Sequence, residues 1–341
     1  MADGASPLTP PCARARRTGN LGSALVERLV ERSDVQVVAV ARRLPEPDAR
    51  DERVEYRAAD ITTDDLDALV TGVDAVVHLA WAIQPMHDPH RTWQINTGGT
   101  ARLLTALERA GTRVVVHASS IGAYPPAADD RRVDETTPPS GIGHVPYSVQ
   151  KAYDEALLDA FELRTTCRVV RLRPALVLQR AAGAEYEGLF LGALGSRALG
   201  ALRRLRAPLP LPRDLRFAVV AAHDVARAVE LALDHPDAAG PFNLSSEPPV
   251  RAADLASTLG LRTVHVPWRL VRGVVRLGFA LRVVPLSPAW VDMIRVSPLL
   301  DTGRALGALD WRPEVSARDA LADAIGGVLD HDRGATPPLD G

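Results

Sequence analysis

Short β-branched runs alternate with amphipathic helical stretches from about residue 20 to about residue 180, and no other feature narrows the possible folds as far. Residues 35–41, 75–79, 113–118 and 168–172 read as buried strands, and 54–56 as a weaker one. Helical spacing fills the intervals at 21–31, 63–70, 97–110 and 147–163. A strand that follows a helix re-enters the sheet in the same direction, because parallel neighbours need a crossover. The expected class is α/β: a doubly wound parallel sheet with helices on both faces.

Beyond about residue 180 the alternation loosens. Residues 188–205 and 267–284 are apolar and studded with arginine, 217–220 reads as a short strand and 224–233 as a helix. Residues 181–331 are expected to form mainly a smaller C-terminal lobe, with some segments returning to the sheet of a first domain over 18–180. Residues 1–17 read as an irregular N-terminus, and 332–341 as a disordered tail. In the lobe, Leu270, Val271, Val274, Leu277 and Leu281 read as helix core or as the wall of an apolar pocket. Arginines at 269, 272, 276 and 282 raise contact with a membrane surface.

A formal charge of −2, with arginines that read as evenly scattered, argues against a nucleic-acid partner. Cys12 and Cys167 supply neither a disulfide framework nor a metal cluster, and no metal is expected. No apolar run reaches membrane-spanning length, and the first residues lack the apolar core of a signal peptide. The expectation is a cytoplasmic protein without stable membrane insertion.

Of the 40 basic residues a single one is lysine, Lys151, four positions after Tyr147 in Pro-Tyr-Ser-Val-Gln-Lys. Residues four apart share one helix face, so the ammonium is expected beside the phenol, lowering its pKa from about 10. Such a pair is a proton-transfer device; its plainer reading is an exposed Tyr and Lys on a helix surface. Upstream, Thr18-Gly19-Asn20-Leu21-Gly22 opens a helix, where glycines admit a pyrophosphate to the helix N-terminus. A tight turn would look the same.

Taken together, these motifs resemble the extended short-chain dehydrogenases/reductases, the group that includes nucleotide-sugar epimerases and dehydratases. The resemblance also rests on Ser119-Ser120-Ile-Gly-Ala-Tyr124, Asp60-Ile61, His78-Leu79-Ala80, Asn96-Thr-Gly-Gly-Thr100, Arg173-Pro174 and Leu309-Asp-Trp-Arg-Pro313. It implies a Rossmann-type sheet, with Tyr147 as general acid/base, Lys151 holding the nicotinamide ribose and Ser120 orienting the substrate oxygen. It further implies cofactor contacts at Gly19, Asn20, Leu21, Gly22, Asp60, Ile61, Leu79, Ala80, Asn96 and Pro174. For Asn96 the plainer reading is a helix N-cap. Strand alternation turns Ser119 away from Ser120. His78 reads as a core imidazole, and Asp224 as a carboxylate at a helix start.

The front of the chain departs from the family pattern. Arg16 stands where the first glycine of Thr-Gly-x-x-Gly-x-x-Gly should be, and residues 1–17 contain Pro7, Pro10 and Pro11 but no β-branched run. The first strand is therefore expected to be abnormal or missing. Either the first residues come from a wrong reading frame or start, or cofactor binding is weakened. No carboxylate follows the second strand before Glu46, whereas Arg42 and Arg43 suit a 2′-phosphate, so NADP(H) is favoured over NAD(H).

The leading expectation is a nucleotide-sugar epimerase-like enzyme that oxidises and re-reduces a small-molecule substrate at a secondary alcohol. The alternatives are an NADPH-dependent aldehyde or ketone reductase and a non-catalytic dinucleotide-binding protein. Relatives dimerise through helices matching 97–110 and 147–163, so a homodimer is implied.

Overall fold

The computed structural model describes residues 12–15, 20–84, 86–127 and 129–330. Seven parallel strands form the main sheet: β1 (Cys12–Ala15), β2 (Gln36–Ala41), β3 (Val54–Ala58), β4 (Ala75–His78), β5 (Val114–Ala118), β6 (Arg168–Pro174) and β7 (Gly240–Leu244). Their order is β7-β6-β5-β4-β1-β2-β3. The direction of winding reverses between β1 and β4, and this switch point opens a crevice at the strands' carboxyl ends. Cys12–Ala15 takes the central place, pairing with β2 on one side and β4 on the other. It is four residues long and has no β-branched side chain.

Helices α1 (Asn20–Leu29), α2 (Leu66–Val70), α3 (Gly99–Ala110), α4 (Pro146–Glu162), α5 (Gly192–Leu205), α6 (Ala222–Asp234) and α7 (Trp268–Ala280) are the ones that matter here. Alternation along the strands builds two cores. Val77, Val116 and Val170 point to the face covered by α1 and α6, where they meet Leu25, Leu29, Val225 and Val229. Their neighbours Val76, Val115 and Val169 point to the face covered by α3 and α4, against Leu103, Leu107, Leu158 and Phe161. Gly111, at φ +64°, ends α3 in the left-handed region where a side chain would be strained. Pro146 at the first position of α4 lacks an N–H that the helix would leave unpaired anyway.

Five of the six strands read from the sequence match β2 to β6, and the sixth, 217–220, falls within the strand Arg216–Ala221. β7 carried no strand reading of its own, because Gly-Pro-Phe-Asn-Leu has no β-branched residue and contains a proline. Pro241 is tolerated because β7 lies at the sheet edge. Beyond β6 lie a three-stranded sheet, Leu176–Leu178 with Arg216–Ala221 and Ser246–Arg251, and a pair, Leu209–Leu211 with Thr263–His265. Leu270, Val274, Leu277 and Leu281, read as core or pocket wall, are instead 54–64% exposed. α7 packs through its other face, so helical spacing alone misjudged which side was covered. The tail at 332–341 lies outside the described residues. Among the described residues no helix is long and apolar enough to cross a membrane.

Candidate active site

At the carboxyl end of β5 the chain turns sharply through Ser120, which caps a short turn by accepting a hydrogen bond from the Gly122 N–H at 3.0 Å. The Ser120 hydroxyl lies near the Tyr147 phenol, on the first turn of α4, and acts to lower its pKa. Ser148 fixes this approach: its hydroxyl donates to the Gly122 carbonyl at 2.5 Å and accepts from the Ile142 N–H at 2.7 Å. Gly122 is required by close approach, since a Cβ there would lie 2.7 Å from Tyr147 Cε1 and 3.0 Å from Met293 Cε.

Ser119 turns the opposite way and donates to Glu155 Oε1 at 2.5 Å. Arg173 grips both Glu155 oxygens at 2.8 and 2.9 Å and donates to the Tyr124 hydroxyl at 2.9 Å; that hydroxyl donates in turn to Asn243 at 2.7 Å. Tyr124 is thus a buried strut below the site. Burial would raise the Glu155 pKa, but the Arg173 guanidinium and the Ser119 hydroxyl together hold it below its ordinary value.

Lys151 lies one turn along α4 and is 3% exposed. Its ammonium donates to the Ala118 carbonyl at 2.7 Å and sits 3.4 Å from the ring centroid of Trp81. Trp81 also meets the Tyr147 ring edge-on at 5.6 Å, and Trp290 closes on that ring from 4.9 Å. The expected lowering of the Tyr147 pKa is therefore corrected: burial pushes it up to about 12, opposed only by the Ser120 hydroxyl. The aromatic enclosure excludes the water that would solvate a phenolate, while the ammonium faces the indole. Burial likewise lowers the Lys151 pKa, opposed by the charges of Asp154 and Glu155.

Asn96 is not an N-cap; it lies within a π-helical turn, Gln94–Gly98, before α3. Its side chain clamps the Ala82 backbone at 2.6 and 2.9 Å and donates to Gln150 on α4 at 2.9 Å, which fixes the loop after β4. His78 is buried and bonded to Thr100 at 3.0 Å. Asp224, in the first turn of α6, accepts from the backbone of Glu314 and Val315 at 2.8 and 3.2 Å, tying the C-terminal segment to the core. His223, Asp224 and Glu314 come within 4.8 Å of one another, but these backbone bonds occupy the Asp224 carboxylate.

Gly19 lies outside the described residues, and of Asn20 only the backbone is described, as the first residue of α1. Leu21 and Gly22 fill the first turn of α1 beside the switch point. Arg42 is exposed and Arg43 half-buried just beyond β2. Asp60 closes a turn by accepting from the Thr62 N–H at 2.8 Å, and Ile61 is buried so tightly under α3 that a Cβ on Gly99 would lie 2.8 Å from it. Leu79 and Ala80 follow β4, and Pro174 ends β6. The donor set suits a pyridine dinucleotide in one respect: Lys151 makes a single bond to oxygen among the described residues, and the N–H groups it would offer to ribose hydroxyls are covered by the Trp81 indole.

Reading the sequence missed Trp81, Trp290, Met293 and Ser148. Trp81 directly follows His78-Leu79-Ala80 and Ser148 follows Tyr147, so adjacency was a usable signal. Trp290 and Met293 arrive from far along the chain, and nothing local marks them. With Ile83, Met86, Val145, Thr92 and Gln150, Trp290 lines a pocket of mixed polar and apolar character against Tyr147.

The family described as "NAD dependent epimerase/dehydratase family" matches residues 17–245. An epimerase family protein of Mycobacterium leprae is 29% identical over 270 residues, 75% of this chain and 78% of the relative. A UDP-glucose 4-epimerase of Streptococcus mutans is 27% identical over 183 residues, 50% of this chain and 51% of the relative. Among solved structures, the UDP-glucuronic acid 4-epimerase of Bacillus cereus in complex with NAD superposes with a TM-score of 0.69 at 19% identity, covering 93% of this chain and 98% of that one. At that identity the likeness speaks for the fold alone.

Proposed function

Since the chain belongs to the NAD dependent epimerase/dehydratase family, we propose that it moves hydride at a secondary alcohol or ketone with Tyr147 as general acid and base. What carries this reading is the meeting of Ser120 with Tyr147, one helical turn from Lys151, beside the switch point of the sheet. A bound dinucleotide supplies or accepts the hydride at its nicotinamide. In the reducing direction the Ser120 hydroxyl donates to the substrate oxygen and Tyr147 gives it a proton. Lys151, Leu79, Ala80 and Pro174 would hold the nicotinamide half. The first turn of α1 would hold the pyrophosphate, and Asp60 and Ile61 the adenine. Asn96 acts one step back, by fixing Ala82.

The likeness to a UDP-glucose 4-epimerase supports oxidation and re-reduction of a nucleotide sugar without net change in the cofactor. The Trp81 and Trp290 rings packed on Tyr147 support the second reading, reduction of an aldehyde or ketone. Arg42, exposed at the end of β2, supports NADP(H); tighter binding of NAD+ than NADP+ in a fluorescence titration would reverse that preference. A homodimer built on α3 and α4 is supported by Trp93 and Tyr153, which are 37% and 47% exposed and lie 5.1 Å apart at this surface. We assign 181–331 mainly to substrate binding, 18–180 to the cofactor, and the whole to the cytoplasm.

The test is Tyr147→Phe, with a panel of nucleotide sugars and apolar ketones. Turnover should fall at least about a hundredfold, while fluorescence titration finds cofactor affinity unchanged. Full activity in this variant removes the proposed role. Net absorbance change in the reduced-nicotinamide band separates the reductase from the epimerase.

A further inference from the structure

The arginines are not evenly scattered. Residues 192–213 and 261–282 contain ten of them and no Asp or Glu, whereas the whole chain carries −2, which leaves −12 on the remainder. The two segments are joined in space by the parallel pairing of Leu209–Leu211 with Thr263–His265. All ten arginines are exposed. Arg272 pairs with Asp292 at 2.8 Å, and the other nine have no ion-pair partner among the described residues.

Within this basic region α7 presents three distinct faces. At 100° per residue, Leu270, Val274, Leu277 and Leu281 fall within an arc of about 60°, and all four are more than half exposed. Val271, Val275 and Phe279 lie on the packed face, with Phe279 stacked on His87 at 3.7 Å. Arg269, Arg272 and Arg276 form the third face. α5 repeats the pattern: Leu194, Ala198, Ala201 and Leu205 are exposed at the same spacing, with Arg197 and Arg204 beside them.

We infer that this region docks on an anionic membrane surface, with the exposed leucines among the acyl chains and the arginines at the headgroups. An apolar stripe flanked by cations is what an interfacial helix needs, and α7 is too short to span a bilayer. A second copy of this chain fits poorly, since it would bring unpaired arginines against their own kind. A nucleic acid would leave the leucines in water. The helix that carries the docked stripe packs, through its opposite side, on the loop beside the substrate pocket: the loop that carries His87 also carries Met86, which lines the pocket and accepts from the Ser287 N–H at 3.4 Å. If hydride transfer is the reaction, as proposed above, the pocket then receives an apolar alcohol or ketone held in the bilayer.

The experiment is co-sedimentation of the full chain with vesicles of phosphatidylcholine alone and of phosphatidylcholine with phosphatidylglycerol. The protein should pellet with the anionic vesicles at low salt, be released by high salt, and stay in solution with phosphatidylcholine. The double variants Leu270→Glu/Leu277→Glu and Arg269→Glu/Arg276→Glu should each lose at least about tenfold in partitioning. Their melting temperatures and cofactor titrations should match the parent. Tyr147→Phe should bind vesicles normally, which keeps this result separate from the catalytic one. Three outcomes overturn the inference: no pelleting with anionic vesicles at low salt, unchanged pelleting of both double variants, or conversion of a dimer to a monomer by the leucine variant.

Discussion

Tyr147 is held in its protonated form. With its pKa raised to about 12 it remains an acid throughout the neutral range and becomes a base only as pH rises. Ketone reduction, which needs the acid, should therefore keep its kcat/KM between pH 7 and 9. Alcohol oxidation, which needs the base, should gain roughly tenfold per pH unit. Parallel pH profiles in the two directions measure this, and an oxidative rate flat with pH contradicts it. Gly122→Ala places a methyl group 2.7 Å from the Tyr147 ring and should displace the phenol from Ser120. A displacement of about 1 Å can cost on the order of a hundredfold in kcat, with the melting temperature little changed because the turn itself is undistorted. Trp81 covers the ammonium that a ribose would need, so cofactor binding requires its indole to move. Part of the tryptophan fluorescence change on NADPH titration should accordingly be absent in Trp81→Phe.

At the scale of elements, α4 carries the site because its buried face changes character along its length. Its first half buries Ser148, Gln150, Lys151, Asp154 and Glu155, and its second half Leu158 and Phe161. The apolar half anchors the helix on the sheet, while the polar half faces β5, β6 and the crevice. Glu155 joins α4 to both strands through Ser119 and Arg173. Glu155→Gln should destabilise the fold by roughly 3–5 kcal/mol, because it strands a buried guanidinium, and denaturant unfolding reads that directly. Glu155 has a depressed pKa in the fold, so its contribution is present above about 4.5 and is lost as pH falls through its lowered value. Acid unfolding of the variant should accordingly be less steep. The helical spacing of residues 147–163 marked the element itself. Its polar contacts were hidden, since each partner lies on another strand.

For the whole molecule, the crevice exists because the winding reverses between β1 and β4, and the site sits where α4 and β5 reach it. The charge is divided as the architecture is, with a basic outer region in the later half and acidic charge elsewhere. Alternation of strand and helix was enough to read the doubly wound class, because period and length are local properties of the chain. The opposite aims of Ser120 and Ser119, and the placing of Tyr147 and Lys151 one turn apart on a helix, were legible for the same reason, although the ammonium meets the Trp81 indole. What lay beyond local geometry was decided by packing. β7 is a strand only because an edge position tolerates Pro241, and the leucines of α7 are exposed only because the rest of the chain covers its other side. The Tyr147 pKa moved opposite to the direction read from the sequence, since Trp81 and Trp290 reach the phenol from distant segments. The amino-acid order determined which elements form and which side chains project together; the tertiary structure alone decided which of them meet water, because burial depends on what the remainder of the chain brings alongside.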